Sequence, residues 1–389
     1  MGAFFLLILY HVGVFYESDS WHTTSPRQVD GIEIVMSLSS PWRLALLFLI
    51  AGCATRFMAD RLSPGAGGAG RLAWGRTVRL LIPLIFGMLV IVPPQTWYQV
   101  AQYTPHLVES APRFYALYLS GEHGWGITTP TWNHLWFVAY LWTYSLILAL
   151  LLALTGGRLR GLGRLLERPL SGPLLLIAPI VYLTLARQLY PVFDSTHALI
   201  DDWYAHSVYL PLFLFGFLIA RSEAFRQAFM RQRWTALAVA VTAWASWQAY
   251  LLAWSGLPGD VQFWTPIAGP PPAELRIAMR GTYAAIQWGV IAAVLGFGAR
   301  HLNFDRPVLR YLTLAVFPLY ILHQTITVVA GHYLTRLQLP LPLEALLLIA
   351  ITFGGAFAGF ELIRRVPLLR PFFGLKLKDQ AAKRPPLAA

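Results

Sequence analysis

Three histidines stand in apolar surroundings: His11 in FFLLILYHVGVFY (residues 4–16), His134 in TPTWNHLWFVAYL and His323 in FPLYILHQTI. An ionisable ring inside a hydrocarbon layer is costly and marks a functional candidate by default. Neutral imidazole can take a proton from a hydroxyl and return it near pH 7, which is what a general acid–base step needs. It can also ligate a metal or a haem iron. The histidines lack the paired spacing of facing haem ligands, and the single cysteine, Cys53, offers neither a disulfide framework nor a metal cluster. Plainer readings stand beside these. His134 lies between Trp132 and Trp136, where an interfacial ring would be ordinary, and Gln324 beside His323 could serve a polar core contact.

A second constellation is RTVR, with Arg76 and Arg79 three residues apart and so on one helix face. Two guanidinium forks suit a phosphate-bearing ligand. Simple anchoring of a span by positive charge fits the same residues. Arg56, in LFLIAGCATRF, could join them.

The elements that must position these groups follow from composition. Of 389 residues 57% are hydrophobic and 12% charged, about half the charged share of a soluble domain. A net charge of +12 could suggest nucleic acid, but the basic residues fall between apolar runs, so membrane topology accounts for them better. A spanning helix needs roughly 20 mostly apolar residues. Ten runs qualify within a few residues: 2–16, 42–59, 77–94, 132–155, 173–190, 207–221, 235–255, 281–299, 309–331 and 342–363. Backbone amides in lipid have no other partner than their own helix. With the first helix starting in the cytoplasm, alternation places 23 of the 30 Lys and Arg inside. The expected architecture is therefore all-α, a ten-helix transmembrane bundle with both ends cytoplasmic. Residues 1–370 form the membrane domain and 371–389 a basic, disordered tail. All three histidines then fall in the outer half of the bilayer and could share one site.

The outer loops 17–41, 95–131, 191–206 and 256–280 are long and rich in Trp, Tyr, Pro and acids, which points to function on that face. The inner stretch 62–70, LSPGAGGAG, reads as a flexible linker, and no strand precedes its glycines to make a dinucleotide fingerprint. The first run is short for a span and has neither a basic leader nor a clear cleavage site, so the true start is expected upstream of Met1.

FLLILYH in a first helix, FLIAG in a second, RTVR opening a third, HLWFVAYL in a fourth and PLYILHQ in a ninth together resemble the type 3 membrane acyltransferases, in particular their glucan-modifying branch of periplasmic glucan succinyltransferases. The resemblance covers essentially the whole chain, through the order and spacing of motifs that are weak singly. It implies an acyl-CoA donor in the cytoplasm and an acceptor hydroxyl on the far side. The family's first-helix signature is a basic residue, ten others and a histidine. His11 fills the last position, and the basic residue would fall immediately before Met1. The family's arginine pair matches Arg76 and Arg79, and its late histidine matches His323.

The expected activity is O-acyl transfer, of an acetyl or succinyl group, to a glucan or another carbohydrate, in the bacterial cytoplasmic (inner) membrane. His11 is expected to act as general base, with His323 and His134 orienting groups or stabilising an oxyanion. Arg76, Arg79 and Arg56 are expected to bind acyl-CoA, and Glu17, Asp30, Trp132 and Asn133 the acceptor. No resident cofactor, no metal and no nucleic acid are expected. A succinyl donor would want a further cation near the thioester, and the sequence places none. Two other classes remain: a transporter or flippase for a carbohydrate or organic anion with a His/Arg-lined pathway, which the scarcity of acids within spans disfavours, and a structural or sensor protein.

Overall fold

The computed structural model describes residues 1–17, 21–63, 66–108, 110–193, 195–254, 267, 269–302 and 304–377. Among them every regular element is helical. The order is α1 (Gly2–Phe15), α2 (Ile32–Met36), α3 (Arg43–Ala59), α4 (Ala66–Phe86), α5 (Pro93–Tyr103), α6 (Ala111–Ser120), α7 (Trp136–Leu154), α8 (Leu159–Leu170), α9 (Leu174–Arg187), α10 (Trp203–Ile219), α11 (Glu223–Trp254), α12 (Ala273–His301), α13 (Pro307–Leu334) and α14 (Leu341–Arg365). A π-helical turn, Gly87–Ile91, joins α4 to α5 in one continuous rod.

Each of the ten apolar runs lies on a helix. By length and apolarity, six helices among the described residues can cross a membrane: the α4–α5 rod, α7, α11, α12, α13 and α14. The pair α8 and α9, bent by 108°, makes a seventh if counted as one span, and α1 and α10 are apolar but shorter. Prolines start several of these helices, as at Pro93 and Pro307, where the missing N–H has no intrahelical role. Asp202 caps α10 by accepting from the Ala205 amide at 3.3 Å.

Helices pair as α11 with α12, α3 with α10, α13 with α14 and α4 with α7. The α3–α10 contact is made by two glycines facing each other's backbone. A Cβ on Gly52 would stand 1.9 Å from the Phe213 carbonyl oxygen, and one on Gly216 2.0 Å from that of Leu49. Only hydrogen fits at either place, as in small-residue packing between membrane helices. This clamp fixes the middle of α3, around Leu49 and Gly52, against α10.

Two boundaries differ from expectation. The expected linker 62–70 is helical from Ala66, because α4 begins about three turns before its apolar run, and Gly68 packs against the Ser63 carbonyl. The tail expected to be unstructured from 371 starts in a packed 3₁₀ turn, Arg370–Phe373: Phe373 is buried and Phe372 stacks on Phe86 at 4.7 Å. Two apolar rings in an otherwise basic segment carry that docking. Residues 378–389 lie outside the described residues, as do Asp19, Glu109, Asp194 and Asp260 of the acid-rich loops.

Candidate active site

A cavity of about 1060 Å³ is lined by α1, the start of α3, the turn before α7, the segment 195–198, and faces of α10, α12 and α13. Helical spacing explains α1's share: Leu7, Tyr10, His11 and Val14 recur at the i, i+3, i+4, i+7 positions of one face. His134, Trp132 and Asn133 enter from a 3₁₀ turn, and Tyr320 and Gln324 from α13.

The histidines meet. His11 Nδ1 and His323 Nε2 are 2.7 Å apart, with their rings parallel within 1°. His323 Nδ1 lies 2.6 Å from the Tyr320 carbonyl oxygen. A carbonyl can only accept, so that nitrogen carries the proton, and in neutral His323 Nε2 is then the acceptor. His11 must therefore donate from Nδ1, which leaves its Nε2 with a lone pair. The rest of the chain thus fixes the tautomer of His11 and the orientation of its ring, the arrangement a base oriented by a third group requires.

His134 is held the other way. Its Nε2 donates to the Ile321 carbonyl at 3.1 Å, and Tyr320 Oη donates to the His134 carbonyl. Its Nδ1 is buried without a hydrogen-bond partner. In this tautomer Nδ1 is an acceptor, so neutral His134 can receive a hydroxyl proton but cannot donate to an oxyanion. His323 is fully buried and is not among the lining residues, so it positions His11 and does not touch a ligand.

Around the histidines runs a polar web in which Gln95, which sequence reading did not single out, joins Asn133 and Gln324, which it did. Gln95 Oε1 accepts from Asn133 Nδ2 and from Gln324 Nε2, each at 3.0 Å, and Gln95 Nε2 donates to Thr325 Oγ1 at 2.7 Å. Thr325 Oγ1 donates in turn to the carbonyl of Ile91, the last residue of the π turn, at 2.7 Å. Asn133 adopts φ 41°, a left-handed conformation asparagine tolerates better than most residues. On the loop side, burial holds the His22 and His197 imidazoles below the ordinary histidine value, so both are neutral at pH 7. His22 Nδ1 is 3.1 Å from Gln99 Oε1, and His197 stacks on Trp136 at 4.2 Å.

The remaining expected residues lie apart. Arg76 and Arg79 are not among the lining residues, nor are Arg56, Glu17 and Asp30. Arg76 is buried, gives Nε to Ser145 Oγ at 3.0 Å and keeps Nη2 without a partner, whereas Arg79 is exposed. Arg76 precedes the lining residue Met88 by twelve positions on the same rod, about 18 Å at helical rise. Arg56 is already engaged by Asp60 at 2.8 Å and the Arg160 carbonyl at 3.1 Å. Asp30 is exposed.

Two cavity cations also escaped sequence reading, Arg43 and Arg187. Their signal was available: both stand among the seven basic residues on the side the topology assigns few.

Residues 2–361 match the family described as "Acyltransferase domain". The protein named "Glucans biosynthesis protein C" from Salmonella schwarzengrund (strain CVM19633) is 22% identical over 381 residues, 95% of this chain and 91% of its own length. Its namesake from Salmonella paratyphi B (strain ATCC BAA-1250 / SPB7) is 23% identical over the same shares. No solved structure matches. A family match over residues 2–361 of 389, on a chain whose described regular elements are all helical, places this protein in that acyltransferase family.

Proposed function

We propose that this multi-pass membrane acyltransferase crosses the bilayer ten times with both ends in the cytoplasm, and moves an acyl group from cytoplasmic acyl-CoA to a carbohydrate hydroxyl at the outer face. The bacterial inner membrane is its proposed location. The observation that carries the reading is the His11–His323–Tyr320 chain, which assigns the proton of His11 to Nδ1 and leaves this cavity-lining residue an unprotonated, basic Nε2. The relatives' printed name supports a glucan as acceptor.

His11 Nε2 takes the acceptor hydroxyl proton as the oxygen bonds to the thioester carbonyl carbon. The imidazolium formed is stabilised through Nδ1–H, which already points at His323 Nε2. When the tetrahedral centre collapses, the C–S bond breaks and the CoA sulfur leaves with the proton from His11 Nε2. His134 Nδ1 accepts a hydrogen bond from the sugar. Trp132, Asn133 and Trp21, which line the same cavity, offer faces and amide edges to it. Arg76, through its unpartnered Nη2, and Arg79 hold the CoA phosphates, and the rod between Arg76 and Met88 matches the reach of an extended pantetheine arm. Arg56 stays with Asp60 as a structural tie.

The purified full chain should transfer a labelled acyl group from CoA to a glucan. Absence of transfer, with CoA-independent passage of the carbohydrate across liposomes, would replace this reading by a transporter.

A further inference from the structure

Arg43 opens α3 and is 3% exposed, yet it lines the cavity. Its guanidinium carbon lies 3.4 Å from the centroid of Tyr10, the neighbour of His11, and Nη1 donates to Ser39 Oγ at 3.0 Å. Its Nε is buried without a partner. Arg187, at the end of α9, lines the same cavity, sits 3.4 Å from the Tyr283 ring centroid and donates from Nη1 to Tyr204 Oη at 2.7 Å. Among the described residues no carboxylate lies within ion-pair distance of either.

Arg43 is buried and Arg187 half-buried; a buried charge left without a counter-charge is strongly unfavourable, and a phenol face compensates it only in part. Each guanidinium here has one face on a tyrosine, and that stacking leaves in-plane N–H groups free for a planar, bidentate acceptor. Tyr10 neighbours both groups: Arg43 packs on its ring, and its centroid lies 5.9 Å from that of His11. A group held by the arginines would therefore lie beside the reacting centre.

We infer that Arg43 and Arg187 form an anion subsite of the cavity that takes a carboxylate carried into the reaction by one of the two substrates. The carboxylate is either the far end of a dicarboxylic acyl group or a substituent of the acceptor sugar. The inference rests on the acyltransferase reading above, and its residues are separate from those given the proton transfer and the CoA phosphates.

The test uses the full chain in detergent in two arms. One arm compares succinyl-CoA with butyryl-CoA, which has the same carbon count without the charge, on a neutral glucan. The other uses butyryl-CoA with a neutral oligosaccharide or its uronic-acid counterpart. In Arg43→Gln the ratio of kcat/KM for the charged over the neutral substrate should fall at least tenfold in one arm, and that arm names the source. Arg43→Lys should restore part of the ratio, and Arg187→Gln should shift it in the same direction, which serves if Arg43→Gln does not fold. A ratio unmoved in both arms overturns the subsite. If the wild-type chain transfers no acyl group at all, the function proposed above fails, and the subsite is then read by binding. Succinate, and not dimethyl succinate, should raise the melting temperature of the wild type but not of Arg43→Gln; no such difference overturns it.

Discussion

Replacing His323 separates positioning from binding. His323→Phe keeps an aromatic ring in a fully buried place but removes the acceptor for His11 Nδ1–H, 2.7 Å away, and the donor to the Tyr320 carbonyl. Leaving a buried donor unpaired costs about 1–3 kcal/mol, so the fold should lose stability on that order and remain recoverable in detergent. The catalytic effect should be larger. Without His323, nothing fixes which nitrogen of His11 carries the proton, and the imidazolium formed in the reaction loses its partner. General-base catalysis contributes about 10²–10⁴, so kcat should drop within that range. KM for both substrates should change little, because His323 does not line the cavity. The assay is steady-state transfer of labelled acyl groups, with the melting temperature measured on the same preparation. An unchanged kcat in a folded variant, or a loss confined to KM, would refute the reasoning about His11's tautomer.

Further outcomes follow from the same geometry. His134→Phe leaves the ring volume but removes the buried acceptor Nδ1, so KM for the acceptor should rise about tenfold, the worth of one hydrogen bond of about 1.4 kcal/mol, while acyl-CoA binding measured by thermal protection is unchanged. Arg76→Gln should weaken that protection by CoA thioesters about tenfold or more, through loss of one charge-assisted contact, and Arg56→Gln should not. Gly216→Ala forces a methyl to 2.0 Å from the Leu49 carbonyl oxygen and should destabilise the chain by about 1–3 kcal/mol, read as a lowered melting temperature without a change in KM. Gln95→Leu cuts the bridge between Asn133 and Gln324 and should lower kcat more than it lowers stability, because Asn133 borders the cavity.

Much of the helix layout was legible because lipid allows few alternatives: each apolar run became a helix, and the hydropathy period had only to be counted. Turns and docking were less legible. The helical start at Ala66 hides in a glycine-rich stretch whose composition favours a linker, and Phe372–Phe373 hide in a basic tail. Within the site, an isolated histidine in hydrocarbon gave His11, His134 and His323 directly. Their pairing, and the opposite tautomers of His11 and His134, depend on which carbonyls α13 turns towards them, which no spacing encodes. Arg76 and Arg79 share a helix face by spacing, yet one is buried against Ser145 and the other exposed, because α7 covers only part of that face. Arg43 and Arg187 were visible only as topological exceptions.

The most direct measurement is single-turnover transfer from labelled acyl-CoA to glucan by His11→Gln beside the wild type, with binding of both substrates measured separately. The account predicts a rate lowered by at least about 100-fold with both substrates still bound. Transfer within about threefold of wild type would contradict it, since a general base in the transition state is worth far more than that.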